Sequence, residues 1–124
     1  MEFSFGGVNL FSPNPARAFA FYQALGLPVV EAPDEDGPWY GAVLALQEGR
    51  NQPVIWIWRS APEEAAAISN RLVFQLVFQT GGRMEELYQR LQGAGFDCPP
   101  PQQAAWGGME MVLTDPDGNQ LLFL

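Results

Sequence analysis

The first segment of the chain, Phe3–Phe11, alternates in its apolar positions. Val8 and Leu10 fall on one side, Gly7, Asn9 and Phe11 on the other, which is the period-two signature of a strand. Asn14-Pro15 then predicts a helix start, because Asn caps and Pro occupies a first-turn site where its missing N–H costs nothing. Ala18, Phe19, Tyr22 and Leu25 recur at helical spacing, and Gly26 is placed to close the helix in a left-handed conformation. Three apolar stretches follow, Leu27–Glu31, Tyr40–Gln47 and Val54–Trp58, separated by Pro-, Asp- and Gly-rich loops. Ser60-Ala61-Pro62-Glu63 has the form of a capping box and predicts a short helix over Pro62–Ile68.

The order then repeats. Leu72–Thr80 reads as a strand, and Met84, Leu87, Tyr88 and Leu91 form an amphipathic stripe closed by Gly95. Phe96–Cys98, Met109–Thr114 and Gln120–Leu124 read as further strands; the run Pro99–Pro101 forbids a regular strand between the first two. Asp115-Pro116-Asp117-Gly118-Asn119 is a hairpin connection in which Pro presets φ and Gly supplies the left-handed position. Tyr22-Gln23-Ala24-Leu25 with Gly26 resembles Tyr88-Gln89-Arg90-Leu91 with Gly95, at offsets of 66 and 69 residues. The chain therefore reads as α+β, with two βαβββ modules at residues 1–59 and 71–124 joined by a helical linker at 60–70. Each module, a helix on one face of a sheet, leaves its other face apolar. Pairing of the sheets around a shared cavity within one structural domain is the expected solution.

Composition narrows the function classes. Of 124 residues 48% are hydrophobic, enough for a real core. No apolar run approaches the roughly 20 residues that span a bilayer. The opening residues lack a basic region before an apolar one, and Cys98 is a lone cysteine, so the expected location is the cytoplasm with no disulfide framework. A net charge of −8 repels nucleic-acid phosphates and anionic lipid, excluding both as expected partners, and attracts cations. The acidic clusters at Asp34–Asp36, Glu63-Glu64 and Glu85-Glu86 fall where loops and helix starts are expected and are explained as solvated caps. The chain has no histidine, so no Ser-His or Cys-His nucleophile pair can form.

Phe21-Tyr22-Gln23-Ala24-Leu25-Gly26-Leu27, the Asp115–Asn119 hairpin before a short apolar strand, and Trp106-Gly107 ahead of it resemble the vicinal-oxygen-chelate group of glyoxalases, extradiol dioxygenases and bleomycin-resistance proteins. The resemblance covers nearly the whole chain. It implies the two-module glyoxalase/bleomycin-resistance fold. It also implies four positions where the family's enzymes hold a divalent metal with His and Glu. Here those positions carry Gly7, Trp56, a residue near Phe74, and Leu122. None offers a metal donor. No cofactor is expected, and metal-dependent glyoxalase or dioxygenase chemistry is disfavoured.

Strand parity assigns Ile55 and Ile57, like Met109, Met111 and Leu113, to the helix-packed faces. The opposite faces receive Phe5, Gly7, Asn9, Phe11, Trp56 and Trp58 in the first module. In the second they receive Trp106, Glu110, Val112, Thr114, Gln120, Leu122 and Leu124. Trp39-Tyr40 is placed at the rim. The candidate ligand-binding set is Asn9, Phe11, Trp39, Trp56, Trp58, Phe74, Trp106, Glu110 and Leu122. It suits a flat, partly apolar or cationic molecule, held by stacking with Glu110 as counter-charge. The first expectation is thus a metal-independent binding protein for a small aromatic or cationic molecule, such as an antibiotic or metabolite; the resemblance implies a homodimer. Two rivals remain: a metal-free lyase or isomerase with Glu110 as general base, and a filled core with no ligand, in which Trp56 and Trp58 only occupy space and Glu110 faces solvent.

Overall fold

The computed structural model of the chain describes residues 6–60 and 76–124. The predicted linker helix Pro62–Ile68, the residues before Gly6 and the start of the fifth strand lie outside them. The chain divides into two compact units, Met1–Leu72 and Val73–Leu124.

In the first unit, β1 (Gly7–Ser12) leads into α1 (Pro15–Ala24), followed by β2 (Val29–Glu31), β3 (Ala42–Ala45) and β4 (Val54–Arg59). The side chain of Asn14 caps α1 by accepting from the Arg17 amide at 3.3 Å, and Gly26 follows the helix at φ +95°, both as the sequence predicts. The sheet order is β1-β4-β3-β2, with β1 and β4 parallel and the other pairs antiparallel. α1 packs across β4 and touches β1 and β3. Ala18, Phe21, Tyr22 and Leu25 on the helix, with Leu10, Ala42, Leu44, Ile55 and Ile57 on the sheet, make this unit's core. Alternation is therefore obeyed: every second residue of β4 is buried under the helix, and Trp56 and Trp58 between them stay partly exposed.

The second unit repeats the plan with β5 (Leu76–Phe78), α2 (Met84–Gly93), β6 (Gln102–Gln103), β7 (Met109–Thr114) and β8 (Gln120–Phe123). Its sheet runs β5-β8-β7-β6, again with the first strand parallel to the last. Met111, Leu113, Leu121 and Phe123 are buried on one face, and Phe78 stacks on Phe123 at 5.3 Å. The closing hairpin is built on Asp115. One carboxylate oxygen accepts from the amides of Asp117 and Asn119, the other from the Asn119 side chain, and Gly118 takes φ +90°.

One strand is corrected. Phe96–Cys98 is not a strand; the edge strand β6 forms instead at Gln102–Gln103, opposite Glu110 and Met109. The Phe96 amide is spent closing α2 on the Leu91 carbonyl. Pro99–Pro101 have no amide protons to give, so they interrupt any ladder between Cys98 and Gln102. The described residues form two four-stranded sheets and two helices, an α+β fold of two like modules.

Candidate functional site

The open face of the first sheet, opposite α1, gathers four of the sequence-predicted residues. The parallel register sets Asn9 beside Trp56 and Phe11 beside Trp58, and the antiparallel register sets Val43 on the other side of Trp56. Partners in register share a face, so Asn9, Phe11, Trp56, Trp58 and Val43 form one surface across β1, β4 and β3. Val43 is buried there and Phe11 exposed.

Trp58 is held through its indole N–H. Its indole N–H donates to Oδ1 of Asn9 at 2.8 Å, across to β1. On the β3 side its ring edge passes near Gly41 without pressing on it: a Cβ built on that glycine would meet Cζ3 at 3.7 Å, an ordinary contact. The indole is therefore oriented towards β1 before any ligand arrives. Gly41 at φ +70° is a residue that sequence reasoning missed. Its signal is available in retrospect, since a glycine just ahead of an apolar strand marks a left-handed backbone position.

Tyr40 is corrected from rim to interior. Its φ of +67° and the bond from the Gly41 amide to the Trp39 carbonyl at 2.9 Å define a γ-turn with positive φ, a rare and strained form. The turn sends the Tyr40 ring inward, edge-on to Phe19 at 6.3 Å and beneath the Arg59 guanidinium at 5.8 Å. The ring is buried and its hydroxyl has no hydrogen-bond partner among the described residues. Burial, and secondarily the charge of Glu35, push the phenol pKa up against the opposing pull of Arg59. Trp39 stays outside, 70% exposed, its carbonyl also accepting from the Arg59 amide.

In the second unit Glu110 and Leu122 share the open face. Leu122 lies between Val77 and Val112, and Glu110 is two residues from Val112 and opposite Gln102. Trp106 lies apart from that row. It occupies the tight β6–β7 connection closed by Ala104 and Gly108, and its exposed ring folds over the Cα of Gly108. Phe74 lies outside the described residues. Cys98 is buried, and burial foremost, then Asp97, pushes its thiol pKa up, so it has none of the character of an activated thiolate.

The three implied metal positions that lie among the described residues, Gly7, Trp56 and Leu122, offer no metal donor. At Gly7 (φ +142°) a Cβ would sit 1.8 Å from the Val54 carbonyl oxygen, so the backbone approach leaves no room for a side chain. Trp56 and Leu122 present carbon and an indole N–H. Among the described residues no group of three His, Cys, Asp or Glu is placed to hold a metal ion. No described helix is long and apolar enough to cross a membrane.

Comparison with known proteins agrees with the fold. UcmS2 superposes with a TM-score of 0.74 at 19% identity, over 99% of this chain and 98% of that one. A bleomycin-binding protein complexed with bleomycin gives 0.60 at 22% identity, over 98% and 97%. The bleomycin resistance determinant encoded on transposon Tn5 gives 0.64 at 22% identity, over 97% and 96%. No curated protein sequence matches the chain. The Glyoxalase/Bleomycin resistance protein/Dioxygenase superfamily profile matches residues 4–123, and the chain belongs to that superfamily.

Proposed function

We propose that the protein captures a small aromatic molecule, in keeping with a sequestering role towards an antibiotic or metabolite, without help from a metal. The observation that carries this reading is the pinned indole of Trp58. The bond to Asn9 fixes a half-exposed flat π-surface beside Trp56 and Phe11. Stacking on a preorganised aromatic surface loses little ordering entropy. The net charge of −8 favours a ligand that also carries positive charge. Bleomycin, bound by one structural relative, is such a molecule and is the first probe. Glu110 is proposed as a counter-charge on the second unit, and the working form as a cytoplasmic homodimer.

The test is a titration read by tryptophan fluorescence and melting temperature. Bleomycin should quench saturably and raise the melting temperature by several degrees at ligand well above Kd. Zinc, nickel and manganese, with and without EDTA, should leave both unchanged. A metal-dependent rise in melting temperature would overturn metal independence. Silence towards bleomycin and other planar cations would overturn capture. Light scattering should return twice the 13.7 kDa chain mass; a monomer would remove the dimer.

A further inference from the structure

The bond between Trp58 and Asn9 decides what the open face can recognise. An indole N–H donates and never accepts, so the carboxamide atom 2.8 Å from it must be the oxygen. Asn9 therefore cannot turn over without leaving a donor facing a donor. Its Nδ2, with two N–H groups, is aimed away from Trp58, on an exposed residue with no other partner among the described residues. Trp58 has spent its one polar hydrogen. The neighbours on the same face, Phe11, Val43 and Trp56, contribute no side-chain acceptor.

We propose that this face selects a flat ligand bearing a hydrogen-bond acceptor, such as a ring-attached carbonyl, over a ligand of the same shape bearing a donor. This rests on the reading of the face as a stacking surface, and it adds the polarity of the group that Asn9 meets. A cationic centre on the same ligand would have to lie away from Asn9.

The experiment uses three naphthalenes of matched size as probes: 2-acetylnaphthalene (acceptor), 2-ethylnaphthalene (neither) and 2-naphthylmethylammonium (donor). Binding is read by tryptophan quenching of the full chain in about 0.15 M salt, where Debye screening suppresses long-range charge effects. The wild type should hold the acetyl compound about three- to tenfold more tightly than the ethyl one, the range of one net hydrogen bond. Asn9→Asp keeps an acceptor for Trp58 but replaces the outward donors with an acceptor. It should weaken the acetyl compound by a similar factor and tighten the ammonium. Gln23→Glu adds the same charge on exposed α1, across the sheet, and should leave the acetyl-to-ammonium ratio unchanged. Trp58→Phe frees the carboxamide to turn, so the ratio should collapse towards one while stacking persists. An unchanged ratio in Asn9→Asp, or an equal change in Gln23→Glu, overturns the donor assignment and leaves capture intact. If none of the three probes quenches the wild type, the stacking surface itself fails, and the donor assignment with it.

Discussion

The two units share a frame and differ in what they display. Each sheet places its first strand parallel to its last, with the remaining pairs antiparallel. Each buries the centre of one face: Ile55 and Ile57 in the first, Leu113 and Leu121 in the second. On the open side the first unit carries a hydrogen-bonded indole and a carboxamide, the second a row of Val77, Leu122 and Val112 beside Glu110. The difference teaches where constraint lies. The buried face must keep alternating volume to hold the sheet, whereas the open face is free to change chemistry residue by residue.

The largest effects should therefore be equal in the two units. Ile57→Ala and Leu113→Ala, 0% and 2% exposed, should each lower stability by about 2–5 kcal/mol in urea unfolding. A cost below about 1 kcal/mol for either would mean that one unit is not packed like the other, and the comparison would break there.

Next comes the backbone contact that has no counterpart among the described residues of the second unit. Gly7→His restores the family's residue type but forces a Cβ into the Val54 carbonyl at positive φ, so a loss of about 2–4 kcal/mol is expected from overpacking and strain. Zinc or nickel should not recover it. Wild-type stability together with metal-linked stabilisation would show that the strands yield easily and that a lost metal site is one substitution away.

The centres of the buried faces are legible from the sequence because period-two alternation is enforced by packing, as in Val54–Arg59; the same parity assigns Met109 to a packed face, yet at the strand start it is 48% exposed. Asn14, Gly26 and Gly118 were legible because caps and turns are local. What escaped depended on non-local or backbone geometry. Phe96–Cys98 has strand composition, yet its first amide is taken by Leu91. Tyr40 sits in an apolar run, yet a γ-turn reverses where it points. The site set was readable to the level of a face: parity placed Asn9 with Trp56 and Trp58, but only the folded chain shows that Asn9 accepts from Trp58 and that Trp106 belongs to a turn.

Smaller effects concern the open faces. Trp58→Ala should weaken bleomycin by tenfold or more, because stacking area and the fixed carboxamide go together. Val112→Ala should change it less than threefold. Glu110→Gln should cost about two- to fivefold for a cationic ligand, shrinking as salt rises, since a partly exposed charge is screened. If Glu110→Gln instead abolished a turnover while sparing affinity, the second face would be the reactive one, and a general-base role would replace capture.

The smallest expected effect pairs one buried acid in each unit. The Cys98 thiol and the Tyr40 phenol are both raised above their ordinary values of 9.0 and 10.0, in each case chiefly by burial. A raised folded-state pKa means that the neutral form is favoured in the fold. The stabilisation is fully present below the ordinary value and is lost as pH climbs from there through the folded value. Stability should thus begin to fall above about pH 9 through the second unit and fall further above about pH 10 through the first. Cys98→Ala should flatten the earlier decline and Tyr40→Phe the later one. At neutral pH Tyr40→Phe should lie within about 1 kcal/mol of wild type, because the hydroxyl it removes has no partner to lose. Urea midpoints at pH 7, 9, 10 and 11, buffer values chosen to bracket the ordinary thiol and phenol pKa values, check both. A Tyr40→Phe protein that kept the full decline above pH 10 would mean that water reaches the phenol in the fold, and the strained γ-turn would then be solvated in a way that its buried ring does not suggest.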